Sequence, residues 1–227
     1  MAWNDDSARH ALASMGIKTT FKSDKKPPAD KGGGLKVINL GFESMGLKDA
    51  NLHEKSYELM KNLCERDPDS EWIADLDYYD NGNIVMNDHQ ATIRPDESQL
   101  FWNDYSPKDD PHNDPEFCIG FIHYHPPKVD ERPSAQDFVL ALTIDELRSK
   151  DNKKRYPETM FGVVIPGHVR LYSIKPDEGE HKMLKKRFEE IQSAELSNDD
   201  YFNKVEELIE ELTADDKIHV SGWFPLA

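Results

Sequence analysis

Two histidines, a serine and an aspartate lie within fifteen residues of the sequence, and together they could bind and use a metal ion. His123 and His125 are separated by one residue, and Ser134 and Asp137 follow after a proline-rich stretch. Imidazole nitrogens and carboxylate oxygens are good ligands for a divalent cation such as zinc. Three protein ligands with one position left for water are typical of a catalytic zinc site, whereas a structural site is closed. These residues therefore predict a catalytic metal centre.

The two histidines are expected to lie on one face of a strand. Residues 117–125 are rich in aromatic and β-branched side chains, which favour strands. Because successive side chains of a strand alternate between its faces, His123 and His125 project to the same side. Pro126 and Pro127 end the strand, since proline cannot donate a hydrogen bond to the ladder. Two imidazoles placed in this way can share one metal ion.

The aspartate is expected in the first turn of the helix that follows. Residues 134–148 carry apolar side chains at roughly helical spacing, which predicts a helix beginning near Ser134. Asp137 then lies where the helix dipole favours a carboxylate. If the intervening loop folds back, Asp137 reaches both histidines and supplies the third ligand.

The segments H-Y-H-P and P-S-A-Q-D resemble the JAMM motif of the MPN-plus (JAB domain) zinc metalloproteases, H-x-H-P followed by S-x-x-D. The resemblance covers about residues 50–175. It implies that zinc is bound by His123, His125 and Asp137, and that Ser134 helps to hold the oxyanion or the water on the metal. Eight residues lie between His125 and Ser134, usually one more than in the family, and a loop accommodates the extra residue.

The family also has a glutamate near the start of an upstream strand, which acts as general acid and base. The segment S-E-W-I-A-D-L at 70–76 is similar to the family context E-x-x-G-x-L, with Ala74 where a glycine is common. The resemblance therefore assigns the acid/base role to Glu71. Glu97 and Glu116 are the competing candidates, but neither opens a convincing buried strand.

The order of the remaining elements predicts an α/β fold. The expected elements are a helix over 51–65, strands over 71–78 and 83–86 joined by an Asn-Gly turn, a polar turn over 149–157, and a second hairpin over 160–174. Asn51 and Glu54 form a capping-box pattern at the start of the first helix. The resemblance implies an MPN (JAB)-like mixed sheet sandwiched by helices.

Three segments are predicted along the chain. They are a flexible N-terminal segment and linker (1–34), a JAMM/MPN-like metalloprotease domain that opens with a strand over 35–40 (35–177), and a C-terminal extension of two amphipathic helices with a last strand over 218–224 (178–227). The extension is expected to pack back on the domain, with a partner-binding helical arm as the alternative. Residues 87–116 are the least regular part of the chain, with a strand expected over 91–94 and another short element over 98–102. Residues 102–116, acidic and broken by prolines, are expected to form a long loop that borders the cleft and contacts substrate.

Charge and composition exclude some classes of function. The formal net charge of −16 argues against a general nucleic-acid binder, because attraction to phosphate needs a basic face, and it favours basic protein partners. Cys64 and Cys118 lie in apolar contexts and are expected to be buried free thiols. We expect no membrane contact, since no signal-peptide pattern and no long apolar run occurs. A cytoplasmic location is therefore expected.

The resemblance implies hydrolysis of a peptide or isopeptide bond, and a ubiquitin-like protein as the substrate whose C-terminus is released. The alternative is a non-catalytic MPN-like scaffold that keeps the fold for partner binding, which the intact ligand set disfavours. A zinc deaminase is a third possibility, but that chemistry needs a P-C-x-x-C pair of ligands. Cys64 and Cys118 are far apart in the sequence and do not form such a pair.

Overall fold

The computed structural model of the protein describes several stretches of the chain from residue 51 onward. They are residues 51–52, 54–66, 68–69, 71–78, 83–86, 118–148 and 150–226. The predictions for the N-terminal segment and linker, the strand over 35–40, the turn at Asn81-Gly82, the short elements over 91–94 and 98–102 and the loop over 102–116 lie outside these residues.

The described strands form one mixed sheet of eight strands. They are β1 (Asn51–Leu52), β2 (Ile73–Tyr78), β3 (Asn83–Met86), β4 (Cys118–Tyr124), β5 (Thr159–Ile165), β6 (His168–Ile174), β7 (Ile218–Val220) and β8 (Phe224–Pro225). Their order is β1-β3-β2-β4-β5-β6-β7, and β8 also pairs with β6. β4 runs parallel to β5 and β1 parallel to β3, whereas the other neighbours are antiparallel.

Helices cover both faces of this sheet. They are α1 (Glu54–Arg66), α2 (Ala135–Leu147), α3 (Lys150–Arg155), α4 (His181–Ser193) and α5 (Asn198–Ala214). One face of the sheet packs against Met60 and Leu63 of α1. The other face packs against α2, and residues of α4 and α5 complete that cluster. The layering confirms the predicted α/β class with a mixed sheet between helices. None of the helices in the described part of the chain is both long enough and apolar enough to span a membrane.

The strand β4 contributes to both apolar clusters because its side chains alternate. Ile122 and Tyr124 face the α1 side, whereas Phe121 packs on the α2 side. All seven residues of β4 are buried, since strands pair with it on both edges and helices cover both faces. The histidines at the end of this strand therefore enter an environment from which water is largely excluded.

The helix α2 is the central layer between the sheet and the C-terminal helices. Its apolar residues are distributed around the helix rather than along one stripe, and nine of its thirteen residues are buried. Phe138 shows the consequence, since its ring stacks on Phe188 of α4 at 4.6 Å and meets Phe161 of β5 edge-on at 5.0 Å. The start of α2, which carries Asp137, is thus held between the sheet and the C-terminal helices.

A buried polar cluster anchors the other end of α2. The Asp145 carboxylate accepts hydrogen bonds from Thr159 Oγ1 at 2.7 Å and Lys153 Nζ at 2.6 Å, and it lies 2.6 Å from His181 Nε2. Burial raises the pKa of Asp145, but the hydrogen bonds from Lys153 and these neighbours outweigh it and hold the pKa below its usual value. The cluster ties α2 to β5, to α3 and to the start of α4.

Most of the predicted elements in the described residues are confirmed. The strands over 71–78 and 83–86 pair antiparallel, the histidine strand is β4, and the helix expected from Ser134 to Arg148 is α2, with these two residues as its caps. The hairpin over 160–174 and the two C-terminal helices are present. The extension packs back on the sheet, because Leu184 and Val205 belong to its buried cluster.

Three predictions of local structure are wrong. Asn51 does not cap α1, because Asn51 and Leu52 form a short strand parallel to β3 and the helix begins at Glu54. The polar turn expected over 149–157 contains the helix α3. The single last strand over 218–224 is two short strands, β7 and β8, that pair with different parts of β6. For the strands, pairing with residues distant in the sequence decides the structure.

The cysteines are free thiols in the described structure. Cys118 is buried as expected, whereas Cys64 on α1 is only half-buried. Burial raises the pKa of Cys64 to about 12 and raises that of Cys118 well above its usual value. Both are therefore protonated, unreactive thiols at neutral pH.

A glycine in β4 allows the histidine strand to lie close to β5. Gly120 pairs with Leu76 on one side and Met160 on the other, and it has a φ of +156°. A Cβ atom at this position would lie 1.6 Å from the carbonyl oxygen of Met160. The contact is with backbone, which cannot move aside as a side chain could, and the β2 register shifts nearby, between Leu76 and Asp77.

We predict that Gly120→Ala destabilises the protein by about 4 kcal/mol or more, because the strands β4 and β5 must separate to admit the methyl group. Gly222→Ala is the matched control, since a Cβ there meets nothing within 4 Å, and its expected change is within about 0.5 kcal/mol. Chemical denaturation of both variants measures the difference. Equal unfolding midpoints for the two variants would contradict the prediction.

Candidate metal centre

The sheet places both histidines on the face that α2 covers. His123 pairs with Ile73 of β2 and Val163 of β5. The ladders continue past the end of β4, since Tyr124 N donates to Trp72 O at 2.8 Å and His125 N donates to Val164 O at 2.7 Å. The backbone therefore remains extended through His125, and strand alternation brings the two imidazoles to the same side, as predicted.

Contacts on the opposite face fix the residue between the histidines. The ring of Tyr124 stacks on that of Trp72 with centroids 5.9 Å apart, and its hydroxyl donates to Pro68 O at 3.0 Å. Tyr124 is 1% exposed. Because this side chain is held from both ends, the backbone that carries the histidines has little freedom to rotate.

The loop after β4 orients the ring of His125. His125 Nδ1 lies 2.5 Å from the carbonyl oxygen of Asp130. A carbonyl can only accept, so His125 carries a proton on Nδ1, and its Nε2 keeps a free lone pair. Histidines that bind metals usually donate their other ring N–H to a carbonyl or carboxylate in this way. The contact therefore leaves Nε2 as the nitrogen of His125 that could bind a metal ion.

The cap of α2 orients the carboxylate of Asp137. Asp137 Oδ2 accepts a hydrogen bond from Ser134 N at 2.7 Å and another from Ser134 Oγ at 3.0 Å. With Oδ2 held by these two donors, Oδ1 faces the histidines and lies 3.6 Å from His123 Nε2. The serine thus caps the helix and directs one oxygen of the aspartate towards the site.

Three potential ligand atoms converge at the end of β4. The Nε2 atoms of His123 and His125 lie 2.8 Å apart, and all three ligand atoms, including one from Asp137, lie within 4.8 Å of one another. Zinc–ligand bonds of about 2.0–2.2 Å place tetrahedral ligands about 3.3 Å apart. Small shifts of the rings therefore suffice to admit a cation. Among the residues that the structure describes, no other group of His, Cys, Asp or Glu has this spacing.

The burial of these residues also fits metal binding. His123 is 2% exposed, His125 7% and Asp137 8%. Burial lowers the pKa of His123 to about 4, so that the ring is neutral at neutral pH, as metal ligation requires. His123 Nδ1 is buried and finds no hydrogen-bond partner in the described part of the chain. This unpaired nitrogen lowers the stability of the fold, and packing alone does not explain why a histidine occupies the position.

The register of β2 brings the predicted acid/base close to the histidines. Ile73 pairs with His123, and the Trp72 bond to Tyr124 continues the ladder, so Glu71 falls level with His125. Glu71 is 8% exposed, and strand alternation places it on the same face as Ile73. The competing Glu97 and Glu116 lie outside the described residues. Glu71 is thus a buried glutamate at the same end of the sheet as the predicted ligands.

Sequence reasoning missed the residues that support the ligands. Asp130 acts through its backbone carbonyl, so its residue type carries no signal. Arg132 donates to the side chain of Asp130 within the loop between β4 and α2. Tyr201 contacts the start of α2 but is 66 residues away from that contact in the sequence. The only available signal was the arginine two residues after the aspartate in V-D-E-R-P, which favours a local ion pair.

Comparisons with known proteins add no relative to these observations. No protein-family model, no curated protein and no solved structure matches the chain. The assignment of this site therefore depends on its own residues and their geometry.

We predict that the full-length protein binds one zinc ion per chain and that Asp137→Asn weakens the affinity for zinc by about 10-fold to 100-fold. The asparagine can still accept hydrogen bonds from Ser134, so the cap of α2 is retained while the anionic ligand is lost. Metal content after dialysis and competition with a chromogenic chelator measure the effect.

Asp151→Asn is the matched control for that measurement. It removes the same charge from an exposed aspartate on α3, whose side chain pairs with Lys154 and forms no part of the His–His–Asp group. Its zinc affinity should equal that of the unmodified protein. If Asp137→Asn also binds zinc with unchanged affinity, Asp137 is not a ligand.

Proposed function

We propose that the protein is a zinc-dependent metalloprotease that hydrolyses a peptide or isopeptide bond. The observation that carries the proposal is the convergence of His123, His125 and Asp137 at the end of β4. Two buried imidazole nitrogens and one carboxylate oxygen form the donor set of a catalytic zinc site. The same three residues occupy the ligand positions of the JAMM motif that the sequence resembles.

The proposal includes an MPN-like fold of the JAMM type. It is supported by the order of elements around the site, in which a strand with the two histidines is followed by a helix that begins with the serine and aspartate. It is also supported by the adjacent antiparallel strand β2, which begins two residues after Glu71. In this proposal the C-terminal helices α4 and α5 are an extension packed on the catalytic layer.

His123, His125 and Asp137 would hold the zinc ion. When bound, a divalent cation supplies Lewis acidity to a carbonyl oxygen and lowers the pKa of water. The protein supplies the proton transfer, which we assign to Glu71. Its carboxylate removes a proton from the attacking water and then delivers that proton to the nitrogen of the leaving amine, so that the C–N bond breaks to an acid and a neutral amine.

Ser134 has two tasks in this scheme. Its backbone N–H and its hydroxyl both donate to Asp137 Oδ2 in the resting structure. A hydroxyl has one proton, and it can turn from Asp137 to donate to the negatively charged oxygen that develops on the substrate carbonyl. The backbone N–H of Ser134 continues to donate to Asp137 while the hydroxyl rotates. The serine thereby helps to stabilise the oxyanion while the aspartate keeps its orientation.

A ubiquitin-like protein is the substrate that we propose, with the scissile bond at its C-terminus. The net charge of −16 supports a basic protein partner, because opposite charge speeds association and discourages wrong partners. The exposed acidic residues of α5 add to that surface. We also propose that the C-terminal helices offer partner contacts and that the protein acts in the cytoplasm.

A non-catalytic MPN-like scaffold is the alternative function. It would need the fold and the partner surface but not the ligand set. The buried positions of His123 and His125, and the orientation of Asp137 by its cap, disfavour it, because a scaffold has no use for polar groups in these places. Zinc bound without turnover of any ubiquitin-like fusion would favour the scaffold.

We predict that Glu71→Gln lowers kcat at least about 100-fold while zinc stays bound, because glutamine keeps the shape of the side chain but cannot accept the proton. The assay is cleavage of ubiquitin-like fusions and isopeptide-linked chains by the zinc-loaded protein, with metal content measured on the same sample.

Glu65→Gln is the matched control, since Glu65 is an exposed glutamate on α1. It should leave both kcat and zinc content unchanged. Full turnover by the Glu71 variant would remove Glu71 from the mechanism. Loss of zinc together with turnover would instead assign Glu71 to the metal site.

A further inference from the structure

The helix α5 contacts the segment that carries the candidate ligands at several points, and two of these contacts are made by adjacent residues. Tyr201 and Phe202 lie in the first turns of this helix, which begins after the cap Ser197. Tyr201 contacts the start of α2, and Phe202 contacts the loop between β4 and α2. Both contacts join parts of the chain that are more than sixty residues apart in the sequence.

The hydroxyl of Tyr201 completes the cap of α2. It accepts a hydrogen bond from Ala135 N at 2.8 Å. Ala135 is the first residue of the helix and is fully buried, so its N–H has no partner within the helix. Both donors of the preceding residue, Ser134, are already used by Asp137 Oδ2. The tyrosine hydroxyl therefore accepts from the backbone N–H of Ala135, the residue that follows the Ser134 donors that orient Asp137.

Phe202 supports the other ligand through a chain of contacts. Arg132 lies over the ring of Phe202, 4.7 Å from its centroid. The guanidinium donates to both carboxylate oxygens of Asp130, from Nε at 2.8 Å and from a terminal nitrogen at 2.7 Å. The carbonyl of Asp130 then orients His125. The side chain of Phe202 thus underlies the loop that fixes this histidine.

The apolar residues of α5 hold the helix in place independently of these two contacts. Val205, Leu208, Ile209 and Leu212 are buried in the cluster on the α2 face of the sheet. Tyr201 is only half-buried and packs at the edge of that cluster. Removal of its hydroxyl alone should therefore leave α5 docked, while the N–H of Ala135 loses its acceptor.

We propose that Tyr201 is a positioning residue for the metal site, which it acts on through the cap of α2. This inference rests on the proposed function, because it concerns the same His–His–Asp site. The hydroxyl fixes the first turn of α2, the first turn fixes Ser134 and Asp137, and Asp137 then presents Oδ1 to the cation. The helix α5 therefore affects the geometry of the metal site, in addition to packing on the apolar core.

Tyr201→Phe tests the proposal in the full-length protein. Residues that directly support a ligand are worth about 10-fold to 100-fold in metal affinity, and Tyr201 acts one step further away. We expect the affinity for zinc to fall about threefold to tenfold, measured by competition with a chromogenic chelator. The visible absorption of the Co²⁺-substituted protein should also change in position or intensity, because the geometry of the ligands is altered.

Tyr156→Phe is the matched control. Tyr156 is a buried tyrosine that packs in the cluster on the α1 side of the sheet, away from the metal site, and its hydroxyl has no hydrogen-bond partner in the described part of the chain. Its zinc affinity and Co²⁺ spectrum should equal those of the unmodified protein. Thermal unfolding of both variants checks that the fold is retained.

The outcomes separate this inference from the proposed function. An unmodified protein that binds no zinc defeats the proposed function, and the inference with it. An unmodified protein that binds zinc, with a Tyr201→Phe variant of equal affinity and an identical Co²⁺ spectrum, defeats the inference alone. An equal loss of affinity in Tyr156→Phe would also defeat it, because the effect would then be a general loosening of the core.

Discussion

The site depends on one interaction, the double hydrogen bond from Ser134 to a single oxygen of Asp137. It fixes where α2 begins, because the N–H of the cap residue has found its acceptor. It also fixes which oxygen faces the histidines, because the other oxygen is already occupied. The same two residues therefore end the loop, start the helix and aim the carboxylate. A helix that began one residue later would turn Asp137 by about 100° around the helix axis and away from the site.

That interaction has an effect only because the sheet holds the histidines at the correct distance. β4 is paired on both edges and packed on both faces, and Gly120 allows close approach to β5. β4 and β5 are parallel, and α2 crosses between them, so the end of β4 and the start of α2 come to the same end of the sheet. Apolar packing thus supplies the frame, and hydrogen bonds supply the final orientation of the ligands.

The sequence was sufficient to predict those parts of the site in which the position of a residue follows from local periodicity. Alternation along a strand places His123 and His125 on one face, and the first-turn position places Asp137 at the start of a helix. It was insufficient where the structure depends on distant contacts or on backbone groups. The two-residue strand β1 forms only because β3 is beside it, and α3 has no apolar residue from which a helix could be predicted. The roles of the Asp130 carbonyl and of the Tyr201 hydroxyl depend on the folded loop and on α5, which no local pattern describes.

The energetics of the cluster argue for a ligand-binding role over simple packing. The surrounding face of the sheet is aromatic, with Phe121 stacked on His123 and Phe161 stacked on Phe121. An apolar side chain in place of His123 would fill the same space without a buried nitrogen that lacks a partner. Such a nitrogen costs about 1–3 kcal/mol.

Without a cation, the facing Nε2 atoms satisfy one another only if His123 carries its proton on Nε2, and its Nδ1 lone pair is then left without a donor. With a cation between the rings, both Nε2 atoms would become ligands and the proton of His123 would lie on Nδ1, which has no acceptor in the described part of the chain. The fold therefore keeps a buried polar group at a cost that packing does not offset, which is the pattern expected where a site is built for function at some expense of stability.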